Sequence, residues 1–330
     1  MGRWIRRIFV SLVIVIASAA AVGAVYQRVE ERRDLARTPA PGQLVDVGGY
    51  RLHIWCKGSG EPAVILESGL GDDAFIWSDV HKRVAQFARV CAYDRAGMGY
   101  SDGSPASRTS QHIAAELATL LTMAHLGGPV VLVGASSGGL NVRMFAFEYP
   151  ARTAGLVLVD SSHEGQSASF STPPLAPLFP WAGSLGVFRV LDVMGFGPSD
   201  RVPEDVRRFQ QATAYRTARF QAMYGELIAI PESAAQVRAS RSRPLTTPLI
   251  AVASGRNSTR DKQWDGFQRD LATLSSRGCH IVAEKAGHLV ARDNPDLVTE
   301  AIRATLAAAT EATGPPCAFM AHDVGSRSGE

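Results

Sequence analysis

An α/β fold, with a mostly parallel central sheet flanked by helices, is predicted by three features of this chain. Strand patterns recur at 63–67, 89–93, 130–133, 155–159, 249–253 and 280–283, and the run Val130-Val-Leu-Val133 is apolar throughout. Such a run suits a strand buried on both faces. Helical patterns alternate with these strands at 76–88, 111–124, 139–149 and 296–308. Finally, the gap from 160 to 247 is too long for one crossover helix. It reads as an inserted helical lid (161–247) over the sheet's C-terminal edge, dividing a core at 43–160 and 248–312.

In chain order, a basic N-terminus (1–7, with Arg3, Arg6 and Arg7) precedes an uncharged stretch at 8–26. As a helix that stretch spans ~28 Å, close to the apolar thickness of a bilayer. An uncleaved transmembrane anchor is the first reading. A cleaved signal peptide is the second, since Ala19-Ala-Ala21 and Val22-Gly-Ala24 offer small-residue sites. Either puts the body outside the cytoplasm, membrane-attached or secreted. Charged residues at 27–37 and Thr38-Pro-Ala-Pro-Gly42 read as a linker. The alternation at 44–47 and 50–55 around Gly48-Gly49 signals a β-hairpin, with His53 a strand residue. The tail 313–330 is Gly/Ser-rich and reads as disordered.

A chain of 330 residues with 46% hydrophobic content can bury one large core. Its net charge of +3 is small and its basic residues scattered, so no nucleic-acid partner is implied. The four cysteines lack C-x-x-C spacing, which disfavours a zinc or thioredoxin-type site. Outside the cytoplasm, Cys56 can pair with Cys91 and Cys279 with Cys317, though spacing does not fix connectivity. Gly97-x-Gly99 does not complete a dinucleotide fingerprint, and no metal or organic cofactor is expected.

The chemistry-bearing stretch is Gly134-Ala-Ser-Ser-Gly138, directly between a strand pattern and a helix pattern. In that context G-x-S-x-G forms a strained turn that lifts the central hydroxyl above the sheet edge. Ser136 is the candidate nucleophile; Ser137 lacks a glycine two residues before it. The glycine turn after the strand at 63–67 makes the Leu70 N–H a candidate oxyanion donor, with the Ser137 N–H as its partner. His288 follows a glycine in the loop after the last strand and is the candidate general base. His280, within the strand run, reads as structural. Asp160, directly after Val159 and so at the sheet's C-terminal edge, is the candidate acid that orients His288; Asp261, beyond the loop after the post-lid strand, is the alternative.

With Glu67-Ser-Gly-Leu-Gly71, Asp94-Arg-Ala-Gly-Met-Gly-Tyr-Ser101, the serine turn, Gly287-His288 and Asp293-x-Pro295 in this order, the chain resembles the α/β-hydrolase fold superfamily. The likeness covers about 43–308 and is nearest the lid-bearing serine ester-hydrolase branch. Ser68-Gly69 stands where the family usually has His-Gly. Many members carry Gly-x-x-Asp after the post-lid strand, but here Gly255-Arg-Asn-Ser258 ends in serine. Asp261 lies too far beyond Gly255 for that position, whereas a minority of the superfamily takes its acid from the strand before the lid, as Asp160 would be. The resemblance implies hydrolysis of a carboxylic ester, lipophilic in view of the anchor. The alternatives are amide or peptide cleavage of the aminopeptidase type, or a non-catalytic binding protein on this fold. Related dehalogenases and epoxide hydrolases use aspartate at the nucleophile position, and serine argues against that chemistry. Leu178, Phe179, Trp181, Phe188 and Leu191 are expected to form the lid's own core or to line an acyl pocket beneath it.

Overall fold

The computed structural model describes residues 2–168, 171–196, 203–241, 244–311 and 314–320. Among these, eight strands form one sheet: β1 (Gln43–Asp46), β2 (Arg51–Lys57), β3 (Ala63–Glu67), β4 (Val90–Tyr93), β5 (Val130–Ala135), β6 (Thr153–Val159), β7 (Leu249–Ser254) and β8 (Gly278–Ala283). Their spatial order is β1-β2-β4-β3-β5-β6-β7-β8. β2 runs antiparallel to both β1 and β4, and all pairs from β4 onward are parallel.

The apolar run of β5 is buried on both faces because both are covered. Val130 and Leu132 pack with Leu117 and Leu120 of α3 (Ser110–Met123) and Phe145 of α4 (Gly138–Glu148). Val131 and Val133 face the other way, among Val80 and Val84 of α2 (Ser78–Val84) and Val298 and Ile302 of α12 (Pro295–Thr310). The alternation is the period of two that a strand imposes. The helix expected at 76–88 is shorter than its pattern: a 3-10 turn at Ala74–Trp77 leads into α2, which ends at Val84.

Between β6 and β7 lie α5 (Phe179–Ser184), α6 (Val187–Leu191), α7 (Glu204–Thr213) and α8 (Thr217–Ser240). Phe188 stacks on Phe220 at 4.3 Å and meets Phe179 edge-on at 6.0 Å. These rings serve the local core of that segment. Leu178, Trp181 and Leu191 do not: all three are exposed, so they line neither a core nor a pocket.

After β7 come α9 (Gly255–Arg260), α10 (Lys262–Ala272), α11 (Val290–Asp293) and, following α12, the short α13 (Cys317–Met320). Cys56–Cys91 and Cys279–Cys317 are both disulfide-bonded; the first joins directly opposed residues of β2 and β4. The second ties part of the tail to β8, so Cys317–Met320 is ordered as a helical turn; residues 321–330 lie outside the described set.

The N-terminal helix α1 (Gly2–Arg37) is continuous through the stretch expected to be a linker. Its far end docks on the body: Arg189 reaches Asp34 at 2.7 Å and the Gln27 amide oxygen at 2.9 Å, and the Thr217 N–H donates to Glu31 at 3.1 Å. These tertiary contacts keep a charged segment helical that local sequence alone would leave free. An 18-residue window of α1 is apolar enough to cross a membrane and is wholly exposed.

Candidate active site

The site lies where the direction of sheet growth reverses. β3 is flanked by β4 on one side and β5 on the other, so the chain segments leaving β3 and β5 diverge at their carboxyl ends. Such a switch point opens a crevice. Ser136 follows β5 there with φ of +51°. That region costs a non-glycine residue about 1–2 kcal/mol, so packing must enforce it. The flanking glycines allow the approach. A Cβ at Gly134 would lie 2.6 Å from a Val142 methyl, and one at Gly138 2.5 Å from the Ser68 carbonyl oxygen. The turn is closed by Gly139 N–H donating to the Ser136 carbonyl at 3.0 Å.

Register brings the next residue in. Ala135 pairs with Val159 across β5 and β6, so Asp160 emerges beside Ser136. Asp160 is fully buried and also has a positive φ, +40°. His288 descends from the loop after β8, which is braced by Gly287 N–H on Asp293 at 2.8 Å and by Ser254 Oγ on the Ala286 carbonyl at 2.9 Å. Its Nδ1 lies 2.7 Å from Asp160 Oδ2 and its Nε2 2.9 Å from Ser136 Oγ. With Nδ1–H donating to the carboxylate, Nε2 offers its lone pair to the serine hydroxyl.

Asp261 is not part of this group. It caps α10, accepting from the N–H groups of Gln263 (2.9 Å) and Trp264 (3.1 Å). Three donors that sequence reasoning missed hold Asp160. The Ser254 N–H (2.9 Å) and Trp264 Nε1–H (2.8 Å) reach Oδ1, and the Asn257 amide (2.8 Å) reaches Oδ2. Asn257 lies in Gly255-Arg-Asn-Ser258, where the resemblance leads one to expect the acid itself. The post-lid loop here supplies donors to an acid carried by the preceding strand. His53, in β2, is tied at 2.7 Å to Asp94, which directly follows β4, and His280 lies in β8.

The loop after β3 is positioned by a residue that sequence reasoning left without a role. Arg95 is buried and uses all five guanidinium hydrogens. Nη1 donates to Glu67 (2.9 Å) and the Ser68 carbonyl (2.7 Å); Nη2 donates to the Gly69 carbonyl (2.8 Å) and Glu226 (2.9 Å); Nε donates to Glu226 (2.7 Å). Holding the Gly69 carbonyl fixes the plane of the Gly69–Leu70 peptide, whose N–H must point opposite to that carbonyl. Burial pushes the Glu67 carboxyl up, while Arg95 and bonds from Tyr93 and Asn141 oppose this.

A cavity of about 130 Å³ opens beside the serine, lined by Leu70, Asp72, Trp77, Ser136, His288 and Ala291 among others. Leu70 and Ser137 together line a second, smaller hollow with Glu226, Ile230 and Ser233 of α8. Asp72, also missed in the sequence, brings a carboxylate oxygen to 3.3 Å from the point where a Gly69 Cβ would sit; Ser136 Cβ is 3.2 Å from that point. Burial raises the Asp72 carboxyl, with Arg219 and Arg95 opposing. Among the described residues, no group of three or more His, Cys, Asp or Glu is arranged to hold a metal ion.

A family profile described as the alpha/beta hydrolase family matches residues 64–301. An uncharacterized protein of Schizosaccharomyces pombe is 27% identical over 299 residues, covering 78% of this chain and 55% of its own length. This chain thus spans just over half of that relative. A thermophilic esterase from Thermogutta terrifontis superposes with a TM-score of 0.62 at 22% identity, covering 82% of this chain and all (100%) of that one. A putative epoxide hydrolase of Pseudomonas aeruginosa gives 0.65 at 21% identity, covering 84% and 99%. At these identities the structural likeness speaks for the fold.

Proposed function

This chain belongs to the alpha/beta hydrolase family, and from that premise we propose that it is a serine hydrolase cleaving a carboxylic ester through an acyl-enzyme. The observation that carries the reading is the unbroken hydrogen-bond line from Ser136 through His288 to Asp160, at 2.9 and 2.7 Å. Ser136 Oγ attacks the acyl carbonyl as His288 Nε2 takes its proton, and Asp160 stabilises the imidazolium that results. The N–H groups of Leu70 and Ser137 hold the oxyanion; the peptide geometry enforced by Arg95 supports Leu70 in that role. His288 returns the proton to the departing alkoxide. Water then loses a proton to His288 as its oxygen bonds to the acyl carbon; the bond from that carbon to Ser136 Oγ breaks, His288 returns the proton to Oγ, and the carboxylic acid leaves. A serine in place of an aspartate argues against alkyl-enzyme chemistry.

The cavity is small against the ~300–1,000 Å³ of usual ligand pockets, which favours a compact acyl group. The helices between β6 and β7 act as a lid: Glu226 and Arg219 of α8 bond to Arg95 and to the Gly71 carbonyl, beside the cavity. The apolar part of α1 anchors the protein in a membrane. The two disulfides favour an extracytoplasmic body. A lipophilic ester is the substrate this location suits.

A fluorophosphonate should label wild type at one site and leave Ser136→Ala unlabelled by intact mass; equal labelling would remove Ser136 from the role. A series of p-nitrophenyl esters should peak at short acyl chains. One observation favours the second reading, amide or peptide cleavage. The Asp72 carboxyl in the cavity has a place to receive a substrate amine, so aminoacyl p-nitroanilides turned over faster than esters would support that reading.

A further inference from the structure

Between β6 and β7 the stretch 171–196 carries an apolar surface that the proposed chemistry does not use. Among the described residues, eight of the eleven exposed large apolar side chains outside α1 lie at 175–194. Val193 is 85% exposed, Trp181 70% and Leu178 56%. The only charged residues from 171 to 196 are Arg189 and Asp192, and both are engaged, Arg189 with Asp34 and Gln27 and Asp192 with Tyr215. An apolar patch without a free charge of its own marks an interaction surface.

The docking register of α1 identifies what covers it. Residues 2–19 of α1 are exposed, and contact with the body begins along a helical stripe that includes Ala20, Gly23, Ala24 and Gln27. Gly23 meets the Leu185 carbonyl so closely that a Cβ would lie 2.6 Å from its oxygen, and Tyr26 lies against Gly186. The body therefore touches α1 along the last two turns of the apolar run at 8–26. A bilayer core of ~30 Å needs ~20 apolar residues at 1.5 Å each, so those two turns cannot lie outside it.

We infer that the exposed apolar face of α5, α6 and the turn after them sits in the outer boundary of the lipid bilayer from which α1 emerges. This rests on the reading of α1 as a membrane span. The occupant is lipid because α1 carries the patch to that depth; no other partner is held there by the chain itself. α5 packs on α8, whose Arg219 and Met223 touch Gly71, so the membrane-facing surface adjoins the roof over the candidate site. An ester dissolved in the bilayer would meet that surface before it met water.

The test uses the full-length protein in phosphatidylcholine vesicles. All four native cysteines are in disulfides, so a thiol-reactive nitrobenzoxadiazole dye labels only an introduced cysteine. Val193→Cys, Val13→Cys and Met123→Cys place the dye on the patch, on the exposed part of α1 and on a separate exposed site of α3. Lipid bearing a doxyl group at acyl carbon 5 should quench the dye at positions 13 and 193 several-fold more than at 123. Quenching at 13 without quenching at 193 would overturn the inference and leave the anchor reading standing. Failure to quench at 13 would overturn both. A dye at 193 that is shielded from water but not quenched by lipid, with dimers on crosslinking, would assign the patch to a second copy and overturn the inference.

Discussion

Replacing Asp160 by Asn separates what the carboxylate does for the fold from what it does for the reaction. Four donors converge on it: Ser254 N–H and Trp264 Nε1–H on Oδ1, the Asn257 amide and His288 Nδ1 on Oδ2. An asparagine can keep its oxygen at the Oδ1 position and retain the first two. Its NH₂ then occupies the Oδ2 position and faces two former donors. The Asn257 amide can turn its oxygen inward, and His288 can present a bare Nδ1. The fold thus exchanges charge-assisted bonds for neutral ones, at a cost of about 1–2 kcal/mol. The chemistry has no such remedy. A bare Nδ1 puts the proton on Nε2, which then donates to Ser136 Oγ and cannot take its proton. The expected loss in kcat is of the order of 10⁴, or ~5.5 kcal/mol, several times the cost in stability. The assay is steady-state hydrolysis of p-nitrophenyl butyrate together with a thermal melt. Asp261→Asn keeps a good helix cap for α10 and should stay within about threefold of wild type. A folded Asp160→Asn that retains a tenth or more of wild-type kcat would refute the reasoning. So would a larger loss in Asp261→Asn.

Arg95→Lys keeps the positive charge but not the five-donor fork, so the Gly69–Leu70 peptide loses its brace. kcat should fall roughly 10²-fold with KM little changed, beyond any fall in melting temperature. Glu164 predicts acid sensitivity. Its burial alone would raise the carboxyl, but Arg143 at 2.6 Å and His163 bring it down from 4.5 to about 2. The stability this adds is therefore present above pH 4.5 and lost as pH falls toward 2. At 1.36 kcal/mol per pH unit it amounts to at most ~3 kcal/mol, less for screening on the partly exposed Arg241 side. Burial depresses the Arg143 guanidinium, so the pair's net worth is smaller than this pH-dependent part. Urea unfolding of wild type and Glu164→Gln should differ most near neutrality, and the difference should shrink steadily below pH 4.5 and close only as pH falls to about 2 and below. Opening the Cys279–Cys317 bridge, which spans 38 residues, by Ser at both positions should cost about 3–4 kcal/mol, read as a fall of roughly 5–10 °C in Tm.

The strand patterns, the serine turn and the histidine loop were legible in the sequence because each depends on neighbours a few residues away. Val130–Ala135 is apolar on both faces, and Gly134 and Gly138 bracket Ser136 because the turn leaves no room for a side chain. The place of Asp160 directly after Val159 favoured it over Asp261 in the sequence, but nothing local decided between them. Asp160 and Asp261 are both polar residues after strand ends. Only the pairing of Ala135 with Val159 puts the first beside Ser136, and only the start of α10 turns the second to capping. The donors Asn257 and Trp264, the brace Arg95 and the pocket carboxyl Asp72 were invisible for the same reason, since each acts on a group remote in the chain. The linker expected at 27–37 failed because its charged residues find partners on α6 and α8, 155 and more residues away, and stay helical. Leu178 and Trp181 look like core by composition, yet whether an apolar side chain points inward depends on what packs above it. Local steric and periodic constraints are written in adjacent residues, whereas register, remote hydrogen bonds and the covering of a face exist only once distant segments meet.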